Sequence, residues 1–194
     1  MRYYLSLLLS MCFCFSWAQP EEARLQTYAQ KIGTVQTLQS DFVEEKHLSL
    51  LDKPIQSRGT LTFDKSAEKL RWQYQQPFVN GFLIEKDNVY RLQGAGKKPV
   101  KQAAGRMFLA EMVVWLTLDF EALKKNYAIT LHDTEITFLP LAKEHKVVKE
   151  ITVWLDKKDP RVVTQVKMEE PSGDFIVWKF SNTQLNPILP DEVF

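Results

Sequence analysis

Residues 59–77 read GTLTFDKSAEKLRWQYQQP. Leu61 and Phe63 alternate with Thr60 and Thr62. Beyond a short charged break, Leu70, Trp72 and Tyr74 alternate with Arg71, Gln73 and Gln75. A period of two, apolar on one face and polar on the other, predicts half-buried β-strands. Leu70, Trp72 and Tyr74 then point inward and Arg71 outward. The inward groups are bulky, so they face either a solid core or a space that something fills.

The same pattern spreads outward from this stretch. SDFVEEKHLSLL (40–51), NGFLIEKDNVYRLQG (80–94), YAITLHD (127–133), TEITFLPL (134–141), VKEITVWLD (148–156), RVVTQVKME (161–169) and DFIVWKFSN (174–182) all read as strands. Turn residues separate them, including Lys86-Asp87-Asn88, Gly94-Ala95-Gly96 and Pro171-Ser172-Gly173-Asp174. Short strands at this spacing predict an antiparallel meander forming a sandwich or barrel. Residues 97–104, KKPVKQAA, read as a loop.

Two segments change period. Leu25, Tyr28, Ala29 and Ile32 fall at helical spacing behind Pro20 and two glutamates, which predicts an amphipathic helix from Glu21 to Ile32. The stretch from Arg106 to Tyr127 has no Gly or Pro and reads helical. Its first half is apolar almost all round, as a buried helix is. The expected place for both helices is across one opening of a curved sheet.

The chain begins MRYYLSLLLSMCFCFSWAQPEE. A basic Arg2, an apolar run too short to span a bilayer and small residues at Ser16 and Ala18 predict a secretory signal, residues 1–18, cut after Ala18. The remainder, 19–194, has the length of one domain. A lipidated Cys12 is the rival reading, and Met11 suits it poorly. Both cysteines lie in the signal, so the mature chain offers no disulfide, thiol nucleophile or thiolate metal ligand. The formal charge is +1 and falls to neutral without Arg2, which gives no electrostatic footprint for nucleic acid.

The chemistry-bearing residues are scattered. His47, His132 and His145 have no metal-type spacing. Glu44-Glu45 and Glu169-Glu170 are adjacent pairs, which alternate faces on a strand and do not converge. No G-x-S-x-G elbow is present, and GAGKK at 94–98 reads as a hairpin turn and lacks the spacing of a phosphate loop. No catalytic site, metal or cofactor is expected.

The order of elements carries a resemblance. A signal and an amphipathic helix lead to LQSDFVEEKHL, a Gly-led strand, and KLRWQYQQP with its Trp a few residues before Gln-Pro. GFLIEKDNVYRL and an apolar helical insert before NYAITL follow. The ordered set resembles the LolA family of outer-membrane lipoprotein carriers. That resemblance implies a mainly β fold with helices, a half-closed antiparallel β-barrel under a helical lid. It implies a periplasmic, monomeric carrier that passes acylated lipoproteins from an inner-membrane exporter to an outer-membrane receptor.

By position, Leu70, Trp72 and Phe82 fall on cavity positions of the family, and Phe108 and Leu109 in its lid helix. With Phe63, Tyr74, Met112 and Trp115 they make the candidate acyl-chain cavity. Burying acyl chains from water is worth about 0.8 kcal/mol per CH₂. Lys65-Ser66 stands where the family often has Arg-Pro, so Lys65 is the candidate lid-gating residue, without the planar fork of an arginine. The sequence also stops at ILPDEVF, where typical carriers continue into a short strand. Two other readings stay open: a binding protein for another lipid or lipid-linked intermediate, and a sensor whose groove binds a partner's peptide.

Overall fold

The computed structural model describes residues 21–86, 88–94, 96–101, 118–141 and 148–194. Helix α1 spans Glu21–Ile32, as the spacing predicts. Leu25 and Ile32 are buried, and Tyr28 and Ala29 pack partly against them. At the helix end the Gly33 N–H donates to Ala29 O at 2.8 Å.

Thr37–His47 (β1), Ile55–Asp64 (β2), Lys69–Gln76 (β3), Asn80–Glu85 (β4), Asn88–Gln93 (β5) and Gly96–Pro99 (β6) form a first run of strands. Tyr127–His132 (β7), Glu135–Pro140 (β8), Glu150–Leu155 (β9), Val163–Glu169 (β10) and Phe175–Leu185 (β11) form a second. Neighbours along each run pair antiparallel, and β1 pairs with β11. The order is therefore β6-β5-β4-β3-β2-β1-β11-β10-β9-β8-β7 in one sheet. Strand β1 is the seam between the two meanders. Its register sets Phe42 opposite Gly59 on β2 and Phe180 on β11, and Glu44 opposite Trp178.

Alternation sends one face of every long strand to a shared core. Phe42, Leu61, Leu70, Trp72, Ile84 and Val89 come from the first run. Leu131, Ile136, Phe138, Ile151, Val153, Val166, Met168 and Trp178 come from the second, in the same cluster as Leu25 and Ile32. An eleven-stranded sheet that gathers one face into one core must curl around it. It does not close: β6 and β7 end the strand order, with no ladder between them among the described residues.

The sequence reading needs two corrections. Gly96–Pro99 is a strand and not a loop, with Lys98 opposite Arg91 and Lys97 opposite Leu92. Both lysines are exposed, so backbone pairing makes this strand without any apolar alternation to announce it. Charge and proline of this kind are usual on a sheet edge. The second correction concerns the end of the helical insert expected from Arg106 to Tyr127, whose first part, residues 106–117, lies outside the described residues. Its described end holds a single turn, α2 (Phe120–Leu123), capped by the Asp119 carboxylate, which accepts from Ala122 N at 3.1 Å. Tyr127 already opens β7, and Leu118 has a positive φ of 45° just ahead of the cap. Residues 1–18, Phe108, Leu109, Met112, Trp115 and His145 lie outside the described residues.

The chain after β11 crosses the outer face. Asn186 Oδ1 accepts from Gln36 N at 2.7 Å, and Thr37 Oγ1 donates to Pro187 O at 2.6 Å. Further along, the Arg71 guanidinium donates to Val193 O at 2.9 Å, and Lys69 Nζ lies 5.4 Å above the Phe194 ring. Arg71 does face outward as its parity predicts, yet it is half-buried because it clasps this tail.

Gly59 is the tightest point of the sheet. A Cβ there would lie 2.0 Å from Gln73 O and 2.7 Å from Phe42 Cζ. Gly59→Ala should cost about 1–3 kcal/mol or more through overpacking. Gly96→Ala, with no atom nearer than 3.8 Å to its added carbon, should stay close to neutral. Urea unfolding of the two variants checks this, and equal midpoints would contradict the assignment of Gly59 as a steric gap.

Candidate functional site

The inner face holds a small concavity of about 30 Å³ that opens to solvent. Its walls are Leu38 from β1, Leu61 and Phe63 from β2, Leu70 from β3, Phe180 from β11, and Val163 at the start of β10. Register explains the grouping, since Leu38 faces Phe63 and Phe63 faces Leu70 across adjacent ladders. Two hydroxyls interrupt the apolar lining: Ser40 Oγ lies 2.8 Å from Thr183 Oγ1 and 3.0 Å from Ser181 O. Arg161 completes the wall. Its fork is held by Asp159, Nε donating to Oδ1 at 2.9 Å and Nη2 to Oδ2 at 2.7 Å. That pairing is the chief reason the Asp159 carboxyl sits below the usual carboxylate range, and the charge of Lys31 adds to it.

Beside the concavity the inner face is packed with rings around one carboxylate. Glu44 is buried at 2 % exposure in the middle of β1. It accepts from Tyr74 Oη at 2.6 Å and from Trp178 Nε1 at 2.7 Å, and Lys46 Nζ stands 3.4 Å away. Trp72 stacks at a tilt on Phe42, 4.4 Å between centroids, and meets Trp178 edge-on at 6.1 Å and Phe180 at 6.2 Å. Burial, with the Glu44 charge and hydrogen bond, pushes the Tyr74 hydroxyl well above its ordinary value. Each element of this arrangement satisfies the rule that a buried charge needs hydrogen-bond partners. The Trp72 indole N–H is the exception, buried with no acceptor among the described residues.

The sequence-predicted residues divide between these two regions. Phe63 and Leu70 stand on the wall of the concavity. Trp72, 2 % exposed, and Tyr74 belong to the ring cluster. Phe82 is opposite Trp72 on β4, half-buried, with the Arg91 guanidinium 6.0 Å above its ring. Lys65 follows β2 and donates to Gly33 O at 3.4 Å, which brings it to the C-terminal end of α1.

Sequence reasoning missed Leu38, Ser40, Phe42, Glu44, Arg161, Phe180 and Thr183. Four of them were readable in part, because Leu38, Ser40, Phe42 and Glu44 share the inward parity of β1. The identity of Glu44 as a buried acceptor was hidden by its neighbour Glu45, which faces outward to Lys179 at 3.0 Å. Among the described residues no cluster of His, Cys, Asp and Glu could hold a metal ion. No described helix is long and apolar enough to cross a membrane.

The family described as outer membrane lipoprotein carrier protein LolA matches residues 33–194. Among solved structures, the MucA/MucB complex of Pseudomonas aeruginosa is similar with a TM-score of 0.54 and 11% identity, over 89% of this chain and 60% of that one. Lipoprotein LppX of Mycobacterium tuberculosis has a TM-score of 0.48 and 12% identity, over 88% and 96% of the two chains. A LolA superfamily protein of Nitrosomonas europaea has a TM-score of 0.46 and 11% identity, over 90% and 96%. Identities this low speak to fold alone. No curated protein matches in sequence.

The Glu44 cluster gives a pH-dependent prediction. Tyr74→Phe should cost about 1.5–3 kcal/mol at neutral pH, the worth of a hydrogen bond to a charged group. Because the folded hydroxyl titrates above its ordinary value of 10.0, its contribution is full below that pH and is lost above it, where the unfolded tyrosine ionises. The gap between wild type and Tyr74→Phe should therefore narrow as denaturation is repeated above pH 10. A gap that stays constant through that range would show that Tyr74 is not shielded in this way.

Proposed function

Because the chain belongs to the family of the outer membrane lipoprotein carrier LolA, we propose that it is a periplasmic carrier of acylated lipoproteins. Acyl chains occupy the inner face of the curled sheet, and residues 1–18 are an export signal removed before function. The carrier has no catalytic step and needs no cofactor. The protein receives cargo from an inner-membrane exporter and yields it to an outer-membrane receptor.

The observation that carries this reading is the solvent-open apolar concavity walled by Leu38, Leu61, Phe63, Leu70, Val163 and Phe180. It is concave and mostly apolar, as lipid sites are, and an acyl chain must widen it to enter. In this reading Phe63 and Leu70 touch the acyl chain directly. Trp72, Tyr74 and Phe82 form the floor against which it packs. For Phe108, Leu109, Met112 and Trp115, contact with the acyl chain is proposed on the family resemblance alone. Lys65 gates the lid through the end of α1.

A second reading has an observation of its own. The fold likeness to the MucA/MucB complex favours a sensor or partner-binding protein, whose inner face or rim holds a segment of another chain. A free lipid or lipid-linked intermediate as cargo is a variant of the first reading.

Mass spectrometry of what co-purifies with the exported protein separates them. The carrier reading expects triacylated protein, its variant a small lipid, and the sensor reading a stoichiometric protein partner. An acyl-chain fluorophore should bind wild type, and Phe63→Asp should weaken it at least tenfold by placing a charge on an apolar wall. Wild type that takes up no fluorophore and co-purifies with no acylated species would overturn the carrier reading.

A further inference from the structure

The concavity is not apolar on all sides. Arg161 forms part of its wall and is more than a third exposed, so its guanidinium is within reach of both the space and the solvent. Asp159 takes one hydrogen each from Nε and Nη2. A guanidinium has five N–H donors, so three remain, including both on Nη1. Asp159 fixes the fork in place and leaves its far side unoccupied by any described protein acceptor.

Two more cations stand near the partners of this wall. Lys31 lies in the last turn of α1, close enough to Asp159 for its charge to be felt there. Lys65, beyond the end of β2 that carries Phe63, reaches the carbonyl of Gly33 two residues after Lys31. The nearby carboxylates are committed. Asp159 is held by Arg161, and Asp64 accepts from Ser66 Oγ at 2.7 Å and Ala67 N at 2.9 Å. Of these basic groups, Arg161 is the one on the wall of the apolar space.

We propose that this concavity selects acyl chains that carry an anionic head group, with Arg161 as the specificity-determining residue and Lys31 and Lys65 adding to the local field. The proposal rests on the acyl-binding reading and deepens its variant, a free lipid or lipid-linked intermediate, because the triacylated cysteine of a lipoprotein has no anionic head. The chain enters among Leu38, Phe63, Leu70 and Phe180. The head group stays at the mouth, where the open side of the fork can donate two parallel hydrogen bonds to a phosphate or carboxylate. An arginine suits this better than a lysine because its donors are planar and pre-set.

The test uses the full mature chain loaded with an acyl-chain fluorophore and displaced by competitors of one chain length, below their micelle concentrations. Lysophosphatidate supplies an anionic head, monoacylglycerol a neutral one, and inorganic phosphate the anion without the chain. Lysophosphatidate should displace the fluorophore at a concentration about three- to tenfold lower than monoacylglycerol. The advantage should shrink as salt is raised, since the site is partly exposed. Arg161→Gln should bring the two competitors within about twofold of each other, and Arg161→Lys should restore part of the difference.

Equal displacement by the two lipids in wild type would overturn the head-group proposal and leave acyl binding intact. So would a preference that survives in Arg161→Gln of native circular dichroism. Displacement by inorganic phosphate alone would mean that the anion site acts without the chain, which also overturns it. A wild type that takes up no fluorophore would overturn the acyl reading beneath it.

Discussion

A missing side chain at Gly59 lets the middle of the sheet exist. Gly59 stands between Phe42 on β1 and Tyr74 on β3 in the ladder register. With nothing on its inner side, the two rings meet edge-on across it at 5.3 Å. Tyr74 can then reach past β2 to the Glu44 carboxylate, which Trp178 approaches from the other side. Three strands that are not all neighbours are tied to one buried oxygen. Any Cβ at Gly59 would separate them, and Glu44 would lose the donors that make its burial tolerable.

That tie divides the inner face into two materials. Around Glu44 the rings of Phe42, Trp72, Tyr74 and Trp178 are in mutual contact, and the space there is filled. Toward the β2–β3 turn the side chains become smaller or part-exposed. Leu38, Ser40, Phe63 and Thr183 leave a hollow instead. A stiff floor beside an open hollow is a sound arrangement for holding a flexible apolar ligand. The floor does not collapse when the hollow is empty, because its own contacts do not depend on the ligand.

The strand pattern was legible because alternation follows directly from the pleat. The residues GTLTFD and KLRWQY announced both their strands and their inward faces, and α1 was bounded correctly from Leu25, Tyr28, Ala29 and Ile32. Strand β6 was not legible, since an edge strand of Gly, Lys, Lys and Pro is held by backbone pairing alone. The candidate site was legible only in halves. Parity placed Phe63, Leu70 and Trp72 on one face, but which of them lines a hollow and which is packed depends on partners from β11 and on Gly59. Arg161 sits far away in sequence and was read as the start of a strand, whereas β10 begins at Val163 and Arg161 belongs to the turn before it. The β10–β11 and β1–β11 pairings together bring it to Leu38 and Phe63.

The tail that follows β11 has a mechanical meaning. It is fastened at Asn186 beside β1 and again at Arg71 on β3, so it runs over the outside of the curve across β2. A strap on the convex side of a bent sheet is drawn taut when the bend tightens and slackens when it flattens. The fastened tail therefore opposes collapse of the hollow far more than its widening. Its few hydrogen bonds resist tighter curling and leave widening free, so the strap biases the sheet toward the open side of its bend.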